Sequence, residues 1–169
     1  MARRCIVLQP IGDIPGELLE FLAAGLEGVY RLPCRVAAPV EPEHMAWDGR
    51  RCQYRADLLV ARLALGRPAD GGTLLGVVDV DLFVPGMNFV FGLATADTAI
   101  ISLARLHPRG GEQEGVLRQR ALKEAVHEIG HTLGLGHCPD PRCVMHFSNC
   151  LEDTDLKGPG LCAACAGRL

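Results

Sequence analysis

The residues predict an α/β domain in which helices pack against a mixed β-sheet and the chain ends in a cysteine-rich segment. Three observations carry this. Segments with strand patterning alternate with segments of helical spacing in the order β-α-β-α-β-β-β-α, which is the signature of helices laid on a mixed sheet. The 169 residues are 49% hydrophobic and 22% charged, a globular balance in a length that buries a real core as one domain. Beyond residue 137 the apolar periodicity fades while five of the eight cysteines appear. A tail of that kind cannot build its own core and needs another hold. The expected organisation is one domain over 1–169, with a sheet-and-helix body (1–137) and a cysteine-rich segment (138–169).

Taken in order, residues 4–9 (RCIVLQ) read as a buried strand stopped by Pro10. Residues 15–30 place Leu18, Leu19, Leu22, Leu26 and Val29 at helical spacing, with Pro15 and Glu17 suited to the helix start. Residues 34–38 (CRVAA) form a second strand closed by Pro39, and 39–50 a connection holding the single tryptophan, Trp47. Helical spacing returns over 55–65 (RADLLVARLAL). Three strands follow at 74–82 (LLGVVDVDL), 88–94 (NFVFGLA) and 99–103 (AIISL). A connection over 109–115 leads into a helix over 121–133, with Glu112 and Glu114 expected to favour its N-terminal dipole.

That last helix carries the chemistry. Residues 124–138 read EAVHEIGHTLGLGHC, the pattern H-E-x-x-H-x-x-G-x-x-H. His127 and His131 stand four residues apart on one helical face and can grip one ion. Glu128 lies beside them, where a carboxylate can take a proton from a metal-activated water. Gly134 permits the turn that brings His137 round as a third ligand. Three protein ligands leave zinc one open position, the arrangement of a catalytic site. Zinc held by neutral imidazoles lowers the pKa of its water to about 7, which fits metal-assisted hydrolysis of an amide. A surface helix that merely carries two histidines explains neither Glu128 nor His137.

The tail suggests a second metal. Cys138 and Cys143, then Cys162 and Cys165, form two close pairs divided by a loop, the outline of a four-thiolate structural zinc site. Free thiols or disulfides are the alternative, and Cys150 and His146 lie between the pairs as substitute ligands. Cys5, Cys34 and Cys52 are expected singly, as small buried hydrophobes.

Charge and hydropathy exclude other classes. A formal charge of -3 gives no footprint for nucleic acid or an acidic membrane surface. The N-terminal apolar run stops at Gln9-Pro10, too short for a signal peptide, and no segment has the length to span a bilayer. The expected location is the cytoplasm and the expected state a monomer.

The run HEIGHTLGLGHC, with Cys143-Val144-Met145 and Cys162-Ala163-Ala164-Cys165, closely resembles the archaemetzincins, a branch of the metzincin zinc peptidases. LLGVVDVDLFVPGMNFVFGLA and AIISLARL are similar to that family as well. The resemblance implies two zinc ions per chain. His127, His131 and His137 would hold the catalytic one, with Glu128 as general base. Cys138, Cys143, Cys162 and Cys165 would hold the structural one, in preference to Cys150 and His146. It further implies a twisted mixed sheet of about five strands, Met145 in the methionine turn below the metal, and residues 88–94 as the strand that pairs with a peptide or small protein substrate. Two other functions compete. One is a non-hydrolytic zinc protein that binds peptides or partners, and the other a three-histidine metal-dependent ribonuclease, which has no use for Glu128.

Overall fold

A computed structural model describes residues 5–68, 71–111, 113 and 115–169. Arg4, at the start of the first expected strand, and the two glutamates expected before the histidine-bearing helix lie outside the described residues. The elements are β1 (Ile6–Ile11), α1 (Gly16–Tyr30), β2 (Cys34–Val36), β3 (Trp47–Asp48), β4 (Gln53–Arg55), α2 (Ala56–Ala64), β5 (Thr73–Val78), β6 (Leu82–Phe83), β7 (Gly92–Ala94), β8 (Thr98–Ser102), α3 (Val116–Thr132), α4 (Leu151–Leu156) and α5 (Ala163–Ala166). Five strands make the main sheet, ordered β2-β1-β5-β8-β7, with β7 antiparallel to β8 and the other neighbours parallel. The expected mixed α/β sheet is therefore present.

Helices cover both faces, which is why β1 and β5 read as nearly unbroken apolar runs. Ile6, Leu8, Leu75, Val77 and Ile101 point to one face, in a core shared with α1 and α3. Val7, Ile11, Leu74, Val78 and Ile100 point to the other, beneath Leu59, Val60 and Leu63 of α2.

Several boundaries differ from expectation, among them that of β2, which ends at Val36 instead of Ala38, and four have a reason visible in the packing. β1 passes through Pro10 to Ile11. Even-numbered residues of β1 turn towards β2, so the missing N–H of Pro10 falls beyond the end of β2, where only its carbonyl is used, by Val40 N–H at 3.0 Å. β5 stops at Val78, because Asp81 swings out to take both arms of Arg105 (2.7 Å each) and Gln53 Nε2 (2.9 Å). Of the expected strand over 88–94, only Gly92–Ala94 joins the main sheet, while Val90 bridges Leu82 in a small sheet ordered β3-β4-β6. α3 begins at Val116, five residues early, since Arg120 belongs inside the protein and not in a loop. Its guanidinium holds both carboxylate oxygens of Asp155 at 2.7 Å and the Leu106 carbonyl at 3.2 Å.

The tail is anchored by more than its cysteines. Val144, Met145 and Leu151 are buried in the α1–α3 core. The Arg120–Asp155 pair and a buried Lys157–Glu124 pair (3.1 Å) tie α4 and the residue after it to α3. Cys52 is exposed in a left-handed turn (φ 53°), and Cys5 and Cys34 are half-buried, so none of these three is the fully buried thiol expected. Among the described residues no helix is long and apolar enough to cross a membrane.

Candidate metal centre and cleft

α3 turns its C-terminal half towards the cleft, with His127 and Glu128 buried and His131 at the boundary. Gly134 then adopts φ +93°, a value side chains resist, and the chain folds back so that His137 faces the other two histidines. One ring nitrogen from each of the three lies within 4.8 Å of the others. Two of the rings are fixed from behind. His127 Nδ1 donates to the Val144 carbonyl and His131 Nδ1 to the Leu135 carbonyl, each at 2.8 Å. Those bonds leave the two Nε2 lone pairs facing each other at 3.0 Å, an unfavourable arrangement unless a cation lies between them. A tetrahedral zinc places nitrogens about 3.3 Å apart, so the donor set fits that ion. Burial, then the charge of Lys157, pulls the His127 pKa down to about 3, which keeps the imidazole neutral as a ligand must be.

The four cysteines also converge. Cys138, Cys143, Cys162 and Cys165 bring their sulfurs within 4.8 Å of one another, and the Cys138–Cys162 and Cys143–Cys165 separations are both 3.8 Å. Zinc–sulfur bonds of about 2.3 Å place tetrahedral ligands about 3.8 Å apart, so this set fits zinc too. The Cys165 backbone N–H, with the neighbouring thiols, holds the Cys162 thiol down at about 7, so a thiolate forms readily. Neither substitute ligand joins the cluster. His146 donates from Nδ1 to the Cys138 carbonyl (2.8 Å), and Cys150 is exposed at the start of α4.

A single short segment, residues 143–146, links the two groups. Cys143 belongs to the thiol cluster, and the Val144 carbonyl holds His127. Met145 is fully buried under α3, where a side chain on Gly130 would strike its sulfur. The Met145 carbonyl accepts from Cys138 N–H at 2.9 Å, and His146 grips the carbonyl of the same cysteine. Tyr30 closes the layer below, donating to the Val126 carbonyl at 2.5 Å.

Glu128 rests against the edge strand. A cavity of about 240 Å³ opens beside it, walled by Phe89, Phe91 and Phe147, with Asn88, Ser148 and Asn149 as polar lining. Among the described residues, Ser148 Oγ is the buried side-chain atom left with no hydrogen-bond partner. Odd-numbered residues of the edge segment bond inwards, Ser102 N–H to the Phe91 carbonyl and Thr95 N–H to the Thr98 carbonyl, both at 2.8 Å. Val90, on the even phase, instead meets β6 (2.9 Å), so the backbone groups of Gly92 and Ala94 turn to the outer edge. They face His131, His137 and Phe147 across a groove. Burial, and then the nearby Glu124 carboxylate, raises the Glu128 pKa well above its ordinary value.

Sequence reasoning missed three parts of this site. Gly92 is one, although a glycine inside a strand pattern marks close approach of something. The Lys157–Glu124 pair is another; Glu124 stands four residues before Glu128, a visible spacing, but nothing local joins it to Lys157. The third is the Val144 carbonyl, which carries no side-chain signal.

A mixed sheet with one open edge strand, a buried carboxylate beneath it and three imidazoles aimed at one point is the framework of a zinc metallopeptidase. The model of "Peptidase family M54" matches residues 25–169. The archaemetzincin of Pyrococcus furiosus is 40% identical over 178 residues, covering 99% of this chain and 93% of the relative. The crystal structure of the Archaeoglobus fulgidus archaemetzincin, complexed with malonate, superposes with TM-score 0.85 at 34% identity, covering 97% of this chain and 99% of that one. A zinc-dependent peptidase from Methanocorpusculum labreanum gives TM-score 0.89 at 30% identity, covering 96% and 98%. The chain belongs to peptidase family M54, the archaemetzincins.

Proposed function

We propose that this metallopeptidase hydrolyses peptide bonds with a zinc ion on His127, His131 and His137 and with Glu128 as general base, while Cys138, Cys143, Cys162 and Cys165 hold a second, structural zinc. The observation that carries the proposal is the position of Glu128, buried between the histidine cluster and the open edge of β7. When bound, zinc polarises the scissile carbonyl and acidifies the attacking water. The chain's own residues do the rest. Gly92 and Ala94 receive an extended substrate backbone by strand addition, with Phe89, Phe91 and Phe147 beside its side chains. Glu128 takes the proton of the water as it attacks and passes it to the departing amine nitrogen. Its raised pKa suits the task, because the protonated form must exist long enough to deliver. Met145 and the Val144 carbonyl support the ligands from below. The thiolate site stabilises the tail that presents both, and its reduced thiols belong in a reducing compartment such as the cytoplasm. Residues 1–169 then act as one peptidase unit, a monomer on peptides or small proteins.

The test combines elemental analysis with cleavage of a diverse peptide library by the wild type and Glu128→Gln. The expected result is two zinc ions per chain in both proteins and a loss of about 10²- to 10⁴-fold in cleavage rate on substitution. Cleavage by Glu128→Gln at the wild-type rate would remove Glu128 from its role, and a single zinc per chain would remove the second site.

A further inference from the structure

From the packing at the edge strand we infer that Gly92 is a positioning residue for Glu128, its missing side chain forming the recess that holds the carboxylate at the reacting bond. The inference rests on the function proposed above. A β-carbon built at Gly92 would lie 2.6 Å from Glu128 Oε1, 2.7 Å from Cγ and 2.8 Å from Cδ. Real β-carbons essentially never approach other atoms so closely, so the smallest side chain at this position must displace Glu128 or part β7 from α3. The helix cannot retreat, since His127 and Ile129 beside Glu128 are buried too, so Glu128 yields by turning its carboxylate into the cavity next to it. Gly92 lies outside the left-handed region that favours glycine, so turn geometry does not demand one here. Space for Glu128 does.

The same residue presents backbone groups to the outer edge, through the alternation described above. Substrate pairing and base placement therefore share one residue. A peptide strand bonded at Gly92 lies at a distance from the carboxylate that is set by a glycine-sized gap. The β-carbon at 92 would project towards α3 and not along the edge, so substitution disturbs the base and leaves the pairing groups in place.

The experiment uses the zinc-loaded full chain and four proteins: wild type, Gly92→Ala, Glu128→Ala and the double variant. Affinity is measured for two derivatives of one short peptide, a hydroxamate, whose hydroxyl donates to the carboxylate beside the metal, and a thiol, which needs only the metal. Gly92→Ala is expected to lower kcat about 10²-fold, the share of a displaced general base, with KM little changed and zinc content intact. It should weaken the hydroxamate at least 10-fold while leaving the thiol unchanged. Glu128→Ala removes Oε1, Cγ and Cδ, the three atoms nearest the added methyl, so in that background Gly92→Ala should change neither affinity. Equal weakening of both derivatives, or an equal effect in both backgrounds, overturns the inference, as does full kcat in Gly92→Ala. If Gly92→Ala fails to fold, the double variant is expected to fold and load zinc, and its failure would place the clash elsewhere. Loss of the underlying function looks different: Glu128→Gln would then cleave like the wild type.

Discussion

Replacing Lys157 with methionine removes one partner of an ion pair that is almost wholly inside the protein. Lys157 is 1% exposed and Glu124 3% exposed, and their charged atoms lie 3.1 Å apart. In the variant the Glu124 carboxylate keeps the Thr154 hydroxyl (3.0 Å) and loses its counter-charge. Stranding a buried charge in this way costs about 3–5 kcal/mol. Thermal and urea unfolding of the zinc-loaded proteins should therefore show Lys157→Met lower by about 3–5 kcal/mol at pH 7, or about 6–20 °C in Tm for a chain of this size. Lys157→Met combined with Glu124→Leu, which removes both charges at similar volume, should return to wild-type stability or exceed it. A Lys157→Met deficit under about 1 kcal/mol at pH 7, or a double variant no more stable than Lys157→Met, would refute the reasoning.

Two further outcomes follow from the segment over 143–146. Cys165→Ser should lower zinc at the thiol cluster and, because Cys138 adjoins His137 and Val144 holds His127, reduce occupancy at the histidines as well. Elemental analysis that finds the histidine site still full would disprove the coupling. Gly130→Ala should destabilise by about 1–3 kcal/mol in urea unfolding, although alanine is the better helix former by about 1 kcal/mol, since its methyl enters the space of the Met145 sulfur. Adding Met145→Ala should remove the clash, and a Gly130→Ala protein as stable as wild type would show that the methionine moves aside at little cost.

Much of the fold was legible because its signals are local. Apolar spacing over 15–30 and 55–65 marked α1 and α2, and the runs at β1, β5 and β8 marked strands buried on both faces. The boundaries went astray where a distant partner overruled local character. Arg120 looks like loop and is core because Asp155, 35 residues on, neutralises it. Asp81 looks like strand and leaves it for Arg105.

The site divides in the same way. By itself the sequence showed which side chains could meet, His127, Glu128 and His131 through helical periodicity, His137 through one glycine turn, and the cysteines through two close pairs. Tertiary structure alone decided what surrounds them. The Val144 carbonyl reaches His127 from 17 residues away, Lys157 reaches Glu124 from another element, and β7 comes close enough to Glu128 that only a glycine fits at position 92. The residues that could hold a metal are written in side chains a few residues apart. Their orientation, burial and neighbouring charge come from packing between segments that share no local pattern.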